Sequence, residues 1–169
     1  MALGARRLDQ DFHTYVMIGD GESQEGQVWE AAFVAARYNI DNLTVILDYN
    51  GLQQYGWQKP GEQMLTPIEH PVEKWRAFGW HTLEIDGHDL DQIVDATEVA
   101  QNHSGQPSII IAHTTKGKGV SFMENQSTWH ARVPTDTELM SALAELGQSS
   151  LLPAEVALSL IHISEPTRL

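Results

Sequence analysis

The sequence predicts an α/β fold, a mostly parallel sheet with helices on both faces, and three features carry that expectation. Residues 43–47 (Leu-Thr-Val-Ile-Leu) form a short β-branched run with no alternation, the pattern of a strand buried on both faces. Strand-like runs alternate with segments whose apolar residues recur at three- and four-residue steps. The runs end in loops rich in glycine and polar residues, which such a fold gathers at the carboxyl ends of its strands.

In chain order, residues 13–18 (His-Thr-Tyr-Val-Met-Ile) are strand formers that stop at Gly19-Asp20-Gly21. We read this as a tight loop whose two glycines permit backbone conformations that other residues avoid. Val28, Trp29, Ala32, Phe33, Ala36 and Tyr38 predict a helix over residues 26–39, with Glu22 and Glu25 leading in. After the strand at 43–47, residues 48–71 hold no periodic segment. Idle loops of that length are uncommon in compact domains, so a functional loop is expected. A short helix at 72–78, a strand at 81–85, a helix at 90–103 and a strand at 107–113 repeat the alternation. Residues 115–133 are irregular, and 135–146 read as an amphipathic helix with Thr135 or Asp136 as N-cap and Glu138 behind it. The order is lost from 148 to 169, so the domain is expected to span 1–147, followed by a tail of separate origin.

With 169 residues, 41% of them hydrophobic and 20% charged, the chain is of a size and balance for one globular domain. Ten basic against 23 acidic residues give a net charge of −13, which argues against nucleic acid and anionic membranes as partners. An anionic small molecule would then need a metal ion, a helix N-terminus or placed histidines, of which there are eight. The absence of cysteine excludes disulfides, thiolate metal sites and a cysteine nucleophile, and fits a cytoplasmic protein. The apolar runs are far too short to span a membrane.

Asp20 and Asn50 stand thirty residues apart, each just beyond the end of an expected buried strand. A carboxylate and an amide oxygen suit a hard cation such as magnesium, and the main-chain carbonyl of Leu52 is in place to add a third oxygen. Gly21 would let the backbone approach a phosphate, with the N-terminus of the next helix aimed at the same anion. Taken singly, Gly-Asp-Gly and Asn50-Gly51 are each explained as turns.

Together they resemble the thiamine-diphosphate signature, and their surroundings resemble transketolase. The matching blocks are Gly19-Asp20-Gly21-Glu22-Ser23-Gln24-Glu25-Gly26, Asp48-Tyr49-Asn50-Gly51-Leu52, Lys74-Trp75-Arg76-Ala77-Phe78-Gly79-Trp80, Ile85-Asp86-Gly87-His88-Asp89 and Thr115-Lys116-Gly117-Lys118-Gly119 leading to Trp129-His130. The resemblance is greatest to the N-terminal subunit of bacterial split transketolases. It implies a partial thiamine-diphosphate-binding fold with thiamine diphosphate and Mg2+, or Ca2+ or Mn2+ in its place, as cofactors. Asp20, Asn50 and the Leu52 carbonyl would hold the metal, and Gly21 and Asn50 the diphosphate. His130 would reach both diphosphate and sugar, and Glu25 would link two cofactor sites.

Ketol transfer between sugar phosphates is implied, in a dimer or heterotetramer with a C-terminal transketolase subunit or domain. Met1-Ala2-Leu3-Gly4-Ala5 resembles the middle of a family helix, so a preceding segment is expected to be absent. The residues themselves leave alternatives open. Glu25 also suits a helix N-terminus, His130 a solvated surface, and Lys116 and Lys118 a basic loop. His81, His88, His103 and His113 read as structural. Gln53-Gln54-Tyr55-Gly56 and Ala131 depart from the family pattern near the substrate. A subunit serving another sugar, or a non-catalytic binding fragment, are the competing readings.

Overall fold

A computed structural model describes residues 1–53 and 68–148. Most of the loop expected over 48–71, the departure at Gln54-Tyr55-Gly56 and the tail beyond Gln148 lie outside the described residues. Two compact units are present, Met1–Lys116 and one beginning at Gly117.

The first unit is a four-stranded sheet of β1 (Thr14–Gly19), β2 (Leu43–Tyr49), β3 (His81–Asp86) and β4 (Ser108–His113), in the order β1-β2-β4-β3. Every pair is parallel, with Gly19 opposite Asp48, and both Tyr49 and Asp86 opposite His113. The carboxyl ends therefore align on one edge, as the alternation of elements requires. Helices α1 (Ala2–Arg7), α2 (Gly26–Arg37), α3 (Pro71–Ala77) and α4 (Leu90–Asn102) complete the unit.

Side-chain alternation along the buried strands divides the core in two. Val45, Leu47, Ile109 and Ile111 pack with Ala32 and Ala35 of α2, Trp75 of α3 and Trp80. Ile110 packs with Ala96 and Ala100 of α4, flanked by Ile46, Leu83 and Ile85. The two faces follow from chain direction: it crosses the sheet one way from β1 through β2 to β3, then turns back to β4. Right-handed crossovers place α4 opposite α2 and α3. Alanines on the sheet-facing sides of α2 and α4 let the helix backbones come close.

Aromatic rings fill the wider gap beside α3. Trp75 lies 4.9 Å from both Trp29 and Trp80, and the Trp80 indole N–H donates to the Ala32 carbonyl at 2.9 Å. Away from the carboxyl edge, His81 at the start of β3 stacks on His103 at 3.8 Å.

Several elements differ from the sequence reading. β2 runs to Tyr49, two residues past the expected end, because Asp48 and Tyr49 still pair with β4. Gly19 and Gly21 need no special backbone: Gly19 ends β1, and Gly21 is right-handed helical at φ −64°. The positive φ belongs to Gly51, at 72°. A short 3-10 turn, Glu22–Gln24, which the sequence reading did not include, separates Gly21 from α2, and α2 begins at Gly26 as expected. Glu22 stabilises this turn by folding its carboxylate back onto the Gly19 N–H at 2.8 Å.

In the second unit a 3-10 turn, Ser127–His130, precedes α5 (Asp136–Glu145). Thr135 caps α5 through a reciprocal bond pair with Glu138, the capping box that this spacing signals. Thr135→Ala should cost about 1 kcal/mol, read as a lower denaturant midpoint, because the Glu138 N–H loses its side-chain acceptor.

Candidate functional site

The candidate site forms where β1 and β2 end side by side. The Asp20 N–H donates to the Asp48 carbonyl at 3.2 Å, extending the parallel ladder by one bond. The chain after β2 then turns at Gly51, whose left-handed conformation aims its N–H at Asp20 Oδ2, 2.6 Å away. Asn50 Oδ1 accepts the Leu52 N–H at 2.9 Å, closing an Asx turn. Ser23 Oγ donates to the Asp20 carbonyl at 2.5 Å from the 3-10 turn, and the Trp29 indole N–H donates to the Ser23 carbonyl at 2.8 Å. The structure thus brings together Asp20, Gly21, Asn50 and Leu52.

Gly21 matters here for space. A methyl group added to it would stand 3.3 Å from Gln53 Cβ, so the loops after β1 and β2 touch at this point. Asp20 is 2% exposed, and among the described residues no basic side chain contacts it. Burial pushes its carboxyl up to about 6, against the lowering effect of the Gly51 and Gly21 N–H groups, with the Asp48 charge raising it further. A buried carboxylate with no counter-charge among the described residues, beside an amide oxygen and main-chain carbonyls, is a donor set that fits a hard divalent cation. Among the described residues no three His, Cys, Asp or Glu side chains cluster, so side chains alone do not make a cage.

The edge continues through β4 and β3. Thr114 Oγ1 donates to Asp48 Oδ1, Thr115 N–H donates to His88 Nε2 at 2.7 Å, and Gly87 N–H donates to the His113 carbonyl at 2.8 Å. His113 Nε2 pairs with Glu84 at 2.7 Å.

Glu25 does not join this cluster. It is the N-cap residue of α2, exposed, with its carboxylate accepting from Gln27 Nε2 rather than capping the helix. In the second unit, Gly117 and Gly119 adopt φ 75° and 90°, and a methyl on Gly117 would stand 2.8 Å from the Met123 backbone. The Lys-Gly-Lys-Gly block therefore has a steric reason for its first glycine. His130 ends the 3-10 turn and is exposed. The preceding Trp129 is held by its N–H to the Phe122 carbonyl at 3.1 Å and by the Arg132 guanidinium 4.3 Å over its ring.

Sequence reasoning missed Ser23, Thr114, Asp48 as an acceptor, and His88. A signal existed only for Asp48 and Thr114, polar residues just where buried strands end.

Comparisons with known proteins converge. Residues 6–163 match the family described as transketolase, thiamine diphosphate binding domain. The chain is 46% identical over 132 residues to the 6-deoxy-6-sulfo-D-fructose transketolase subunit SqwG of Clostridium sp. (strain MSTE9), covering 78% of this chain and 46% of that protein. It is 38% identical over 148 residues to an apulose-4-phosphate transketolase subunit of Phocaeicola vulgatus, covering 88% and 51%. The crystal structure of transketolase from Campylobacter jejuni is similar with a TM-score of 0.79 at 28% identity, over 89% of this chain and 24% of that one. The chain spans about half the length of these two curated relatives.

Proposed function

Because the chain belongs to the transketolase family, within its thiamine diphosphate binding domain, we propose that it forms the diphosphate-and-metal half of a transketolase site. The complete enzyme moves a two-carbon ketol unit from a ketose phosphate to an aldose phosphate. One observation carries this reading: a buried Asp20 with no counter-charge among the described residues, bonded to the turn that carries Asn50, at the carboxyl edge of the sheet.

In this reading Asp20, Asn50 and the Leu52 carbonyl hold Mg2+, or Ca2+ or Mn2+ in its place, and oxygens of the cofactor complete the shell. Gly21 and Asn50 receive the diphosphate, Gly21 because it leaves the backbone bare. When bound, thiamine diphosphate supplies the carbanion chemistry. His130 binds the diphosphate and the sugar and holds or moves a proton at a sugar oxygen. Glu25, exposed at the start of α2, serves as the acid that links two sites across subunits. The proposed span of the diphosphate-binding domain is 1–147, while the family match runs on to residue 163.

The two relatives are named for different sugars, one sulfonated and one phosphorylated. We take an anionic sugar as the substrate class, with Lys116 and Lys118 supplying local positive charge on a chain of net −13. A C-terminal transketolase subunit or domain is the partner, in a dimer or heterotetramer, in the cytoplasm. No helix among the described residues is long and apolar enough to cross a membrane.

A second reading, a non-catalytic fragment that binds its partner, is favoured by the apolar residues of edge strand β1, where Tyr15, Val16 and Met17 are 44%, 40% and 69% exposed. Calorimetric titration of thiamine diphosphate with and without magnesium separates the two. Magnesium-dependent binding supports the half-site, whereas partner association without cofactor binding by either component supports the fragment.

A further inference from the structure

The bonds at the carboxyl edge run across the sheet in strand order. Asp20 N–H reaches the Asp48 carbonyl, Asp48 Oδ1 accepts from Thr114, and the next residue, Thr115, donates its N–H to His88 on the loop after β3. Thr115 is one residue from the end of the first unit, at the root of the segment that continues through Lys118 to His130. The loops after β3 and β4 are in direct contact. A methyl on Gly87 would stand 2.5 Å from Thr114 Cγ2 and 3.1 Å from the His113 carbonyl.

His88 itself is set from both sides. Its main-chain N–H donates to Asp86 Oδ1 at 2.9 Å, and Asp89 caps α4 through the Asp91 and Gln92 N–H groups.

A backbone N–H can bond to His88 Nε2 only if that nitrogen carries a lone pair, so the proton of the neutral ring sits on Nδ1. Protonation would turn the acceptor into a donor facing a donor. We propose that His88 is a positioning residue, a neutral imidazole acceptor that fixes Thr115 and thereby the first residues of the Lys116 to His130 segment. The functional part of this inference rests on the transketolase reading above. The other ionisable groups on the two loops are already engaged or point to no competing role: Asp86 and Asp89 hold their own loop, His113 pairs with Glu84, and Lys116 follows Thr115.

The test uses His88→Ala and His88→Gln. His88 is exposed, so both variants are expected to fold, and Gln keeps an acceptor oxygen. Amide hydrogen exchange at Thr115 in this chain, divided by the rate of an unstructured peptide at each pH, reads the bond directly. Protection at Thr115 should be lost in His88→Ala and kept in His88→Gln. In the enzyme assembled with its partner subunit, His88→Ala should raise KM for a ketose phosphate about tenfold with kcat within threefold, and His88→Gln should restore it. Unchanged Thr115 protection in His88→Ala overturns the anchor, and unchanged KM beside lost protection overturns its positioning role. If the assembled parent transfers no ketol unit, the transketolase reading fails, and Thr115 exchange alone decides the anchor.

Discussion

Asp20→Asn should abolish magnesium-dependent binding of thiamine diphosphate while leaving the metal-free chain more stable than the parent near neutral pH. The two effects share one cause. Asp20 is 2% exposed, and burial pushes its carboxyl from 3.8 up to about 6, so the metal-free fold disfavours its charge. A carboxyl with a raised pKa contributes stability below its unfolded value, near 3.8, and that contribution is lost as pH rises through about 6. The asparagine oxygen still accepts from the Gly51 N–H but has no charge to bury, and no carboxylate for a cation.

The variant should therefore gain about 1 kcal/mol at pH 7, after allowance for the weaker bond that a neutral oxygen makes, and nothing at pH 4. Burial lowers His13 and His81, which gives the opposite trend: their stability is present above the ordinary histidine value of 6.5 and lost as pH falls through their lowered pKa values. Subtracting parent from variant at each pH removes those contributions. Denaturant melts of both chains across pH 4–8, with calorimetric titration of the cofactor, make the comparison. Retained magnesium-dependent binding in Asp20→Asn would remove Asp20 from the metal site.

Trp75→Ala should be the most damaging core substitution, with a loss of about 3–5 kcal/mol in denaturant unfolding. Against a typical total of about 5–15 kcal/mol, such a loss leaves the first unit barely folded. Trp75 is 1% exposed and sits between Trp29 and Trp80, joining α2 and α3 to the sheet face formed by Val45, Leu47, Ile109 and Ile111. Trp75→Phe separates ring volume from polarity. The Trp75 indole N–H has no partner among the described residues, so phenylalanine removes a buried unpaired donor along with part of the ring, and should lose about 1 kcal/mol or less. A loss in Trp75→Ala of under 1 kcal/mol would show that the aromatic cluster does not carry the joint between α3 and the sheet.

Sequence reading reached the elements well and their relations less well. The strand at 43–47 was legible because a β-branched run without alternation has few other uses, and β2 covers it at Leu43–Tyr49. The helix at 26–39 was legible from its apolar period, and α2 occupies Gly26–Arg37. Thr135 and Glu138 announced the cap of α5. The 3-10 turn at Glu22–Gln24 was not legible, since three residues are too few for a period and the turn depends on Glu22 reaching back to Gly19. Reading Gly19 and Gly21 as conformational glycines misjudged their use for a similar reason. What constrains Gly21 is Gln53, thirty-two residues away in the chain.

By itself, then, the sequence determined a parallel α/β domain, its strands and helices, and the residue types at the ends of those strands. Those properties follow from side-chain period and burial within one segment. Tertiary structure alone decided the order β1-β2-β4-β3, the bond from Gly51 to Asp20, and the chain of contacts from Asp48 through Thr114 and Thr115 to His88. Strands apolar on both faces carry no mark of their neighbours, so pairing is settled by which helices can cover which face through right-handed crossovers. Only after that choice do polar groups 31 and 66 residues apart meet at one edge.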